Sequence, residues 1–189
     1  MRLPEGVRSL GVDDGPFERD RRGQVLVVGA VYQGGTWFDG LLTTRVQKDG
    51  WNATDRLLGA LTGSKFLPQL GYLLLGGIAV GGFNLFDLDR LHAGSGLKLL
   101  VVMRRLPDLP AMRRAIERLP RARARLRLLE AAGPIRPVGN LFCQLRGMQP
   151  EEAAALLRLT CTRAHLPEPL RVAHLVAGGL ARGQSGRRA

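Results

Sequence analysis

The sequence is short of the residues that mark several function classes. Cysteine occurs only at Cys143 and Cys161, far apart and in no metal-like spacing. That gives no support for a zinc site or a disulfide framework, and fits two reduced thiols in a cytosolic protein. The opening MRLPEGVRSLG lacks the apolar core of a secretory signal peptide, which again points to the cytoplasm. Aromatic residues make up 5% of the chain, so core packing is expected to claim most of them. Acidic residues are scarce beside basic ones, 16 against 28, and no internal repeat is present. The one long uncharged stretch, residues 66–86, holds Pro68, Gln69, Asn84 and the pairs Gly76-Gly77 and Gly81-Gly82. These are poor residues for a regular membrane-spanning helix. A buried strand running into a glycine-rich loop explains the stretch better, and no membrane partner is expected.

What is present is arginine. It supplies 25 of the 28 basic residues, and the net charge is +12. A surface of this sign captures polyanions, and the guanidinium fork suits phosphate, so DNA or RNA is the expected partner. A GC-rich genome, which favours Arg, Ala, Gly and Leu alike, is the competing explanation. Length and composition are those of one globular domain: 189 residues, 45% hydrophobic and 23% charged. The domain is expected over residues 1–181, with 182–189 as a basic flexible tail.

The N-terminal half reads as strands. Residues 8–12 alternate and end in Asp13-Asp14-Gly15-Pro16, a turn signal; 24–31 (QVLVVGAV) and 36–47 follow, closed by Asp49-Gly50. Short links predict an antiparallel meander. A helix capped by the stretch Asn52 to Asp55 runs through Leu61, followed by a strand at 70–75, a helix at 85–92 and a strand at 98–103. That alternation implies parallel strands with right-handed crossovers. Helices at 110–119 and from Pro120, one or two strands at 135–145, and helices at 150–162 and 167–180 complete the chain. Three antiparallel strands followed by alternating helices and strands predict a ribonuclease-H-like α/β fold, a mixed sheet with flanking helices.

In that plan the first strand and the strand after the first helix lie side by side. Carboxylates at their C-terminal ends normally hold Mg²⁺, a hard cation that takes oxygen ligands. Asp13 stands where the first of these belongs; turn chemistry before Gly15-Pro16 is the alternative reading of Asp13-Asp14.

The wording of five blocks is more specific. LGVDDGPF at 10–17, FDGLLTT at 38–44, GGFN at 81–84, VVMRRLPDL at 101–109 and LPEPLRVAHL at 166–175 together resemble the endonuclease dU family, a relative of endonuclease V. The resemblance spans nearly the whole chain. It implies a Mg²⁺- or Mn²⁺-dependent endonuclease that cuts beside a deaminated base such as uracil or hypoxanthine. By the same resemblance Asp13 is the first metal carboxylate, and His174 lies near the metal. Asp39, shared with the family, is a further catalytic and metal candidate.

The second carboxylate is absent. The resemblance implies Asp-Gly at the end of the fourth strand, where this chain reads Leu75-Gly76-Gly77, and the third strand offers Arg45 and Val46 where endonuclease V has an acid. Glycine brings no side-chain ligand, so weak metal binding and slow or absent cutting are expected, unless Asp14, Asp39, Asp87 or Asp89 compensates. A non-catalytic nucleic-acid-binding relative of the same fold is the alternative.

Nine arginines lie between 104 and 127. Arg104, Arg105, Arg121 and Arg125 are the phosphate-contact candidates, with Arg121 and Arg125 on one helical face; a solvated basic face is the other reading. His174 on a largely apolar helical face also fits a core histidine, and Glu168 fits a helix start. Tyr32, Trp37, Trp51 and Tyr72 are candidates for stacking on an extruded base.

Overall fold

The computed structural model describes residues 1–18 and 22–186. Strands β1 (Arg8–Asp14), β2 (Gln24–Gln33) and β3 (Trp37–Gln47) form the antiparallel meander. Helix α1 (Ala53–Thr62) then crosses to β4 (Tyr72–Leu75), which pairs parallel with β1. A two-residue hairpin, β5 (Ala79–Val80) and β6 (Asn84–Leu85), precedes α2 (Leu88–Ser95) and β7 (Lys98–Met103), itself parallel to β4. Helices α3 (Leu109–Glu117) and α4 (Ala122–Ala131) lead to β8 (Arg136–Val138) and β9 (Leu141–Arg146). Strand β9 runs antiparallel to β7, and α5 (Pro150–Thr160) and α6 (Glu168–Arg182) close the chain. The seven-stranded sheet has the order β3-β2-β1-β4-β7-β9-β8, the ribonuclease-H-like arrangement expected from element order.

Strand alternation sorts the core into two layers. Leu10, Val12, Leu73, Leu75, Leu99 and Val101 pack under Leu57, Leu61, Leu91, Ile116 and Leu129 from α1–α4. Tyr72, Leu74, Leu100 and Val102 face the opposite way, against Leu156 of α5 and Leu170 of α6. Both faces of β4 are covered, which is why Tyr72-Leu73-Leu74-Leu75 shows no polar alternation. The uncharged stretch 66–86 is thus a 3₁₀ turn, a core strand and a glycine-rich hairpin. Among the described residues no helix is long and apolar enough to cross a membrane.

Two local expectations change. Asn52 precedes α1 but makes no side-chain cap; its Oδ1 instead accepts from the Gln47 backbone and from Asn84 Nδ2. The helix expected at 85–92 begins at Leu88, because Asp87 caps it through the Arg90 amide while 84–85 form the hairpin. The expected tail begins on the last residue of α6, and its residues 187–189 lie outside the described residues.

One glycine fixes how α6 meets the sheet. A Cβ on Gly11 would fall 2.3 Å from the Pro169 carbonyl carbon and 2.4 Å from the Leu170 amide. Helix α6 therefore rests its first turn directly on the β1 backbone, and His174 on its next turn reaches the C-terminal end of β1.

Candidate functional site

The register of β1 and β4 pairs Val12 with Leu75, so Asp13 and Gly76 are the next residues along the two strands. A Cβ built on Gly76 would lie 3.0 Å from Asp13 Oδ1. The second strand end thus meets the first where paired carboxylates would share a cation, and among the described residues only one carboxylate is there. From above, α6 brings His174, whose Nδ1 lies 2.9 Å from Asp13 Oδ2. A carboxylate can only accept, so Nδ1 carries the proton and Nε2 is left for another contact. The Asp13 hydrogen bond raises the His174 pKa; burial and the charge of Arg104 oppose it, and the charges of Asp13 and Asp14 reinforce it. His174 is no core histidine, since its side chain is 46% exposed.

These residues line a hollow of about 350 Å³ together with Val102, Met103, Arg104, Leu166 and Leu170. A larger, mostly apolar cavity of about 680 Å³ adjoins it, sharing Met103 and beginning at Gly77. Its walls come from the ends of β4 and β7, from α3 and α4, and from the 133–135 turn. No residue pattern along the chain announces this cavity.

None of the four candidate acids, Asp14, Asp39, Asp87 and Asp89, replaces the missing one. Asp14 points to the opposite face of the sheet, where its Oδ2 accepts from the Gly81 amide at 2.6 Å. Burial pushes the Asp14 pKa up to about 6. Asp87 caps α2, and Asp89 pairs with Arg146 at 3.1 Å.

The expectation of Asp39 as a metal and catalytic residue is corrected. Asp13 pairs across β2 with the level of Thr43, so Asp39 lies four residues away along β3, about 13 Å by strand rise. There, beside the irregularity in the β2–β3 register, it accepts from Arg8 Nε at 2.9 Å. It is held at the far end of the sheet.

The arginines divide as well. Arg104 lines the hollow, Arg105 is exposed beside it, and Arg121 is exposed with its guanidinium 5.7 Å from the Trp51 ring centroid. Because β3 runs parallel to β1, Trp51 and Arg121 stand at the same end of the sheet as Asp13. Arg125 does not belong with them. It is 2% exposed and donates to the carbonyls of Pro120, Phe83 and Asp49. Arg121 takes a left-handed conformation and α4 starts at Ala122, which turns Arg125 inward beside Leu129. It fastens α4 to the β5–β6 hairpin and is not available to phosphate.

Of the aromatic candidates, Tyr72 is buried on Glu152, Tyr32 packs on Phe38, and Trp37 is exposed at the start of the edge strand. Glu168 stands in the first turn of α6, buried, with both carboxylate oxygens on Arg171.

The profile of the Endonuclease dU family matches residues 5–181. The chain belongs to the Endonuclease dU family. A UPF0215 protein of Deinococcus radiodurans is 45% identical over 183 residues, covering 96% of this chain and 93% of that protein. The crystal structure of a protein of unknown function from Archaeoglobus fulgidus superposes with a TM-score of 0.86 at 37% identity, covering 92% of this chain and 98% of that one. A more distant likeness is to an endonuclease V of Ciona intestinalis, solved with a 24mer DNA containing an inosine followed by a ribo-adenosine. It gives a TM-score of 0.55 at 15% identity, covering 91% of this chain and 84% of that chain. At that identity the likeness is one of fold.

A divalent cation does not fit the residues present. Among the described residues no three His, Cys, Asp or Glu side chains come together as a ligand set. One Asp13 oxygen is already engaged by His174, and Gly76 offers none. Mg²⁺ and Mn²⁺ call for several oxygen ligands, so one carboxylate is a poor host.

Proposed function

We propose that this protein binds nucleic acid containing deaminated bases and that its phosphodiester cleavage is slow, because the cation centre of its lineage has lost an acid at position 76. The observation that carries this reading is the empty place beside Asp13: a side chain on Gly76 would touch the Asp13 carboxylate at 3.0 Å, yet none is there. Binding has separate support. Arg104, Arg105 and the Arg121–Trp51 pair stand around the same end of the sheet as the hollow. The endonuclease V that shares the fold was solved on inosine-containing DNA.

Each residue at the site has a part in holding a strand. Arg104 brings positive charge to the wall of the hollow. His174, oriented by Asp13, presents Nε2 as a second polar contact. Gly76 leaves room for a phosphate to approach the strand ends closely. Asp13, paired with His174, is partly neutralised and repels that phosphate less than a free carboxylate would.

The test measures binding and product on the same strands. Duplex and single-stranded oligonucleotides bearing uracil or hypoxanthine are titrated with the native chain at several salt concentrations, then incubated with Mg²⁺ or Mn²⁺. The expected result is binding whose log K falls with log salt by about 0.9 per neutralised phosphate on duplex DNA, with little product. Gly76→Asp should raise cleavage by at least about ten-fold, since even changes behind a metal's ligands cost about 10–100-fold. Native cleavage as fast as that of the variant would overturn the reading, as would the absence of binding.

A further inference from the structure

The end of the sheet away from Asp13 holds a second polar hollow, of about 250 Å³, that shares no residue with the first. Tyr32 near the end of β2, Thr36 in the β2–β3 turn, Thr162 and Arg163 after α5, and Glu168 and Arg171 of α6 line it. By register Tyr32 pairs with Ser9, four residues before Asp13, about 13 Å along β1 by strand rise. Close packing fixes the walls. A Cβ on Gly35 would fall 2.3 Å from the Leu159 carbonyl oxygen, and Thr162 Oγ1 donates to the Gly35 carbonyl at 3.2 Å. The turn is thereby seated on the end of α5.

Its donors are held in place but not used. Tyr32 is 7% exposed, yet no described residue bonds its hydroxyl. Nor is that hydroxyl among the buried polar atoms cut off from solvent. The hydroxyl of this otherwise covered side chain therefore opens on the hollow. Burial and the Glu168 charge raise the Tyr32 pKa against the charges of Arg171 and Arg163, so the phenol keeps its proton and can donate. Arg163 is exposed and forms no hydrogen bond or ion pair with a described residue. Arg171 gives Nε and Nη2 to Glu168 at 2.9 and 2.6 Å and keeps the N–H groups on Nη1. The buried carboxylate is thus spoken for. It orients Arg171 and cancels one of the two guanidinium charges, leaving the hollow positive.

The geometry points to a phosphate-binding site in this hollow, with Tyr32, Arg163 and Arg171 as its donors. Arginine forks bond paired phosphate oxygens, and a fixed hydroxyl on the buried side takes another. A donor left unmatched on that side is costly, so a ligand that brings an acceptor gains what an apolar one forfeits. A cation would meet two guanidiniums.

The site does not depend on the nucleic-acid reading above, because inorganic phosphate alone tests it. Phosphate is titrated into the full labelled chain at constant ionic strength, with chloride making up the salt, and followed by NMR. Saturable shifts are expected at the Tyr32 ring, the Thr36 amide and the Arg171 Nε–H. Tyr32→Phe, which keeps the ring on Phe38, and Arg163→Gln should each weaken phosphate binding by about ten-fold or more. Arg56→Gln removes the same charge from the exposed side of α1 and should leave binding unchanged. Shifts that do not saturate, shifts confined to Asp13, His174 and Arg104, an equal loss in Arg56→Gln, or undiminished binding by folded Tyr32→Phe would overturn the inference. If Tyr32→Phe does not fold, the comparison of Arg163→Gln with Arg56→Gln decides. A second arm separates the sources of the phosphate, with one oligonucleotide carrying or lacking a 5′-phosphate. Tighter binding of the 5′-phosphorylated strand, lost in Tyr32→Phe, assigns the group to a strand end; equal binding of the two strands, with phosphate still held, assigns free phosphate. Strand binding without phosphate shifts sinks this site and spares the nucleic-acid reading; phosphate seated here with no strand binding does the reverse.

Discussion

The two ends of the parallel strands handle carboxylates in opposite ways. At the N-terminal end, Glu152 of α5 takes hydrogen bonds from Tyr72 and Lys98 on one oxygen, each at 2.6 Å. Burial pushes the Glu152 carboxyl up, but the bonds from Lys98 and Tyr72 outweigh it and hold it below the usual range. The Tyr72 hydroxyl is pushed up by burial and by that same carboxylate. Arg8–Asp39 and Arg171–Glu168 close the neighbouring pairs at this end. At the C-terminal end, Asp13 has a half-exposed histidine, a bare glycine and two open cavities around it. A polar cluster that satisfies itself gives rigidity and specifies the fold; one left open beside a cavity is placed to meet something from outside.

The comparison is sharpest at Gly11, on which the open end depends. Gly11→Ala sets a methyl against the α6 backbone and should cost about 3 kcal/mol of stability, read from urea unfolding. In the folded fraction, α6 must back away and the His174–Asp13 bond must loosen. The His174 imidazole, followed by NMR titration, should then fall back toward an ordinary histidine pKa. An unchanged titration would mean that α6 is not what sets the dyad.

Glu152→Ala probes the closed end. It leaves a buried tyrosine hydroxyl without its acceptor, at a cost of about 2 kcal/mol, while Lys98, 43% exposed, turns to solvent. Strand binding at constant salt should not change. A folded variant with weakened binding would erase the distinction between the two ends.

A smaller effect is expected at Asp14, whose pKa rises from 3.8 to about 6 through burial. The folded state then holds this proton more tightly than the unfolded chain does. The resulting stability is complete below about pH 3.8 and is lost as pH rises through about 6. Asp14→Asn keeps an acceptor for the Gly81 amide and removes the titration. Relative to native, the variant should gain on the order of 2 kcal/mol between pH 4 and pH 7. Parallel stability profiles would show that Asp14 does not titrate in this window.

The sheet was legible in the sequence because its signals are long: QVLVVGAV over β2 and KLLVVM over β7 leave little choice of element. Asp13, Gly76 and His174 were legible through family wording, and the structure brings those three together. What escaped was set by events one residue long. A left-handed Arg121 delayed α4 and turned Arg125 from surface to interior. Asp39 shares its family block with the site, but strand register carried it to the other end of the sheet. The β5–β6 hairpin has strands of two residues, too short for any periodicity.

The decisive question is whether position 76 alone separates this chain from a competent cation centre. Gly76 has no left-handed backbone to forbid a side chain, and the atom a new Cβ would meet belongs to the Asp13 carboxylate. Mn²⁺ titration followed by electron paramagnetic resonance, on native protein and Gly76→Asp, measures this without any substrate. The expected result is that the variant holds Mn²⁺ at least about ten times more tightly than native. Native protein that captures Mn²⁺ as tightly as the variant would contradict it.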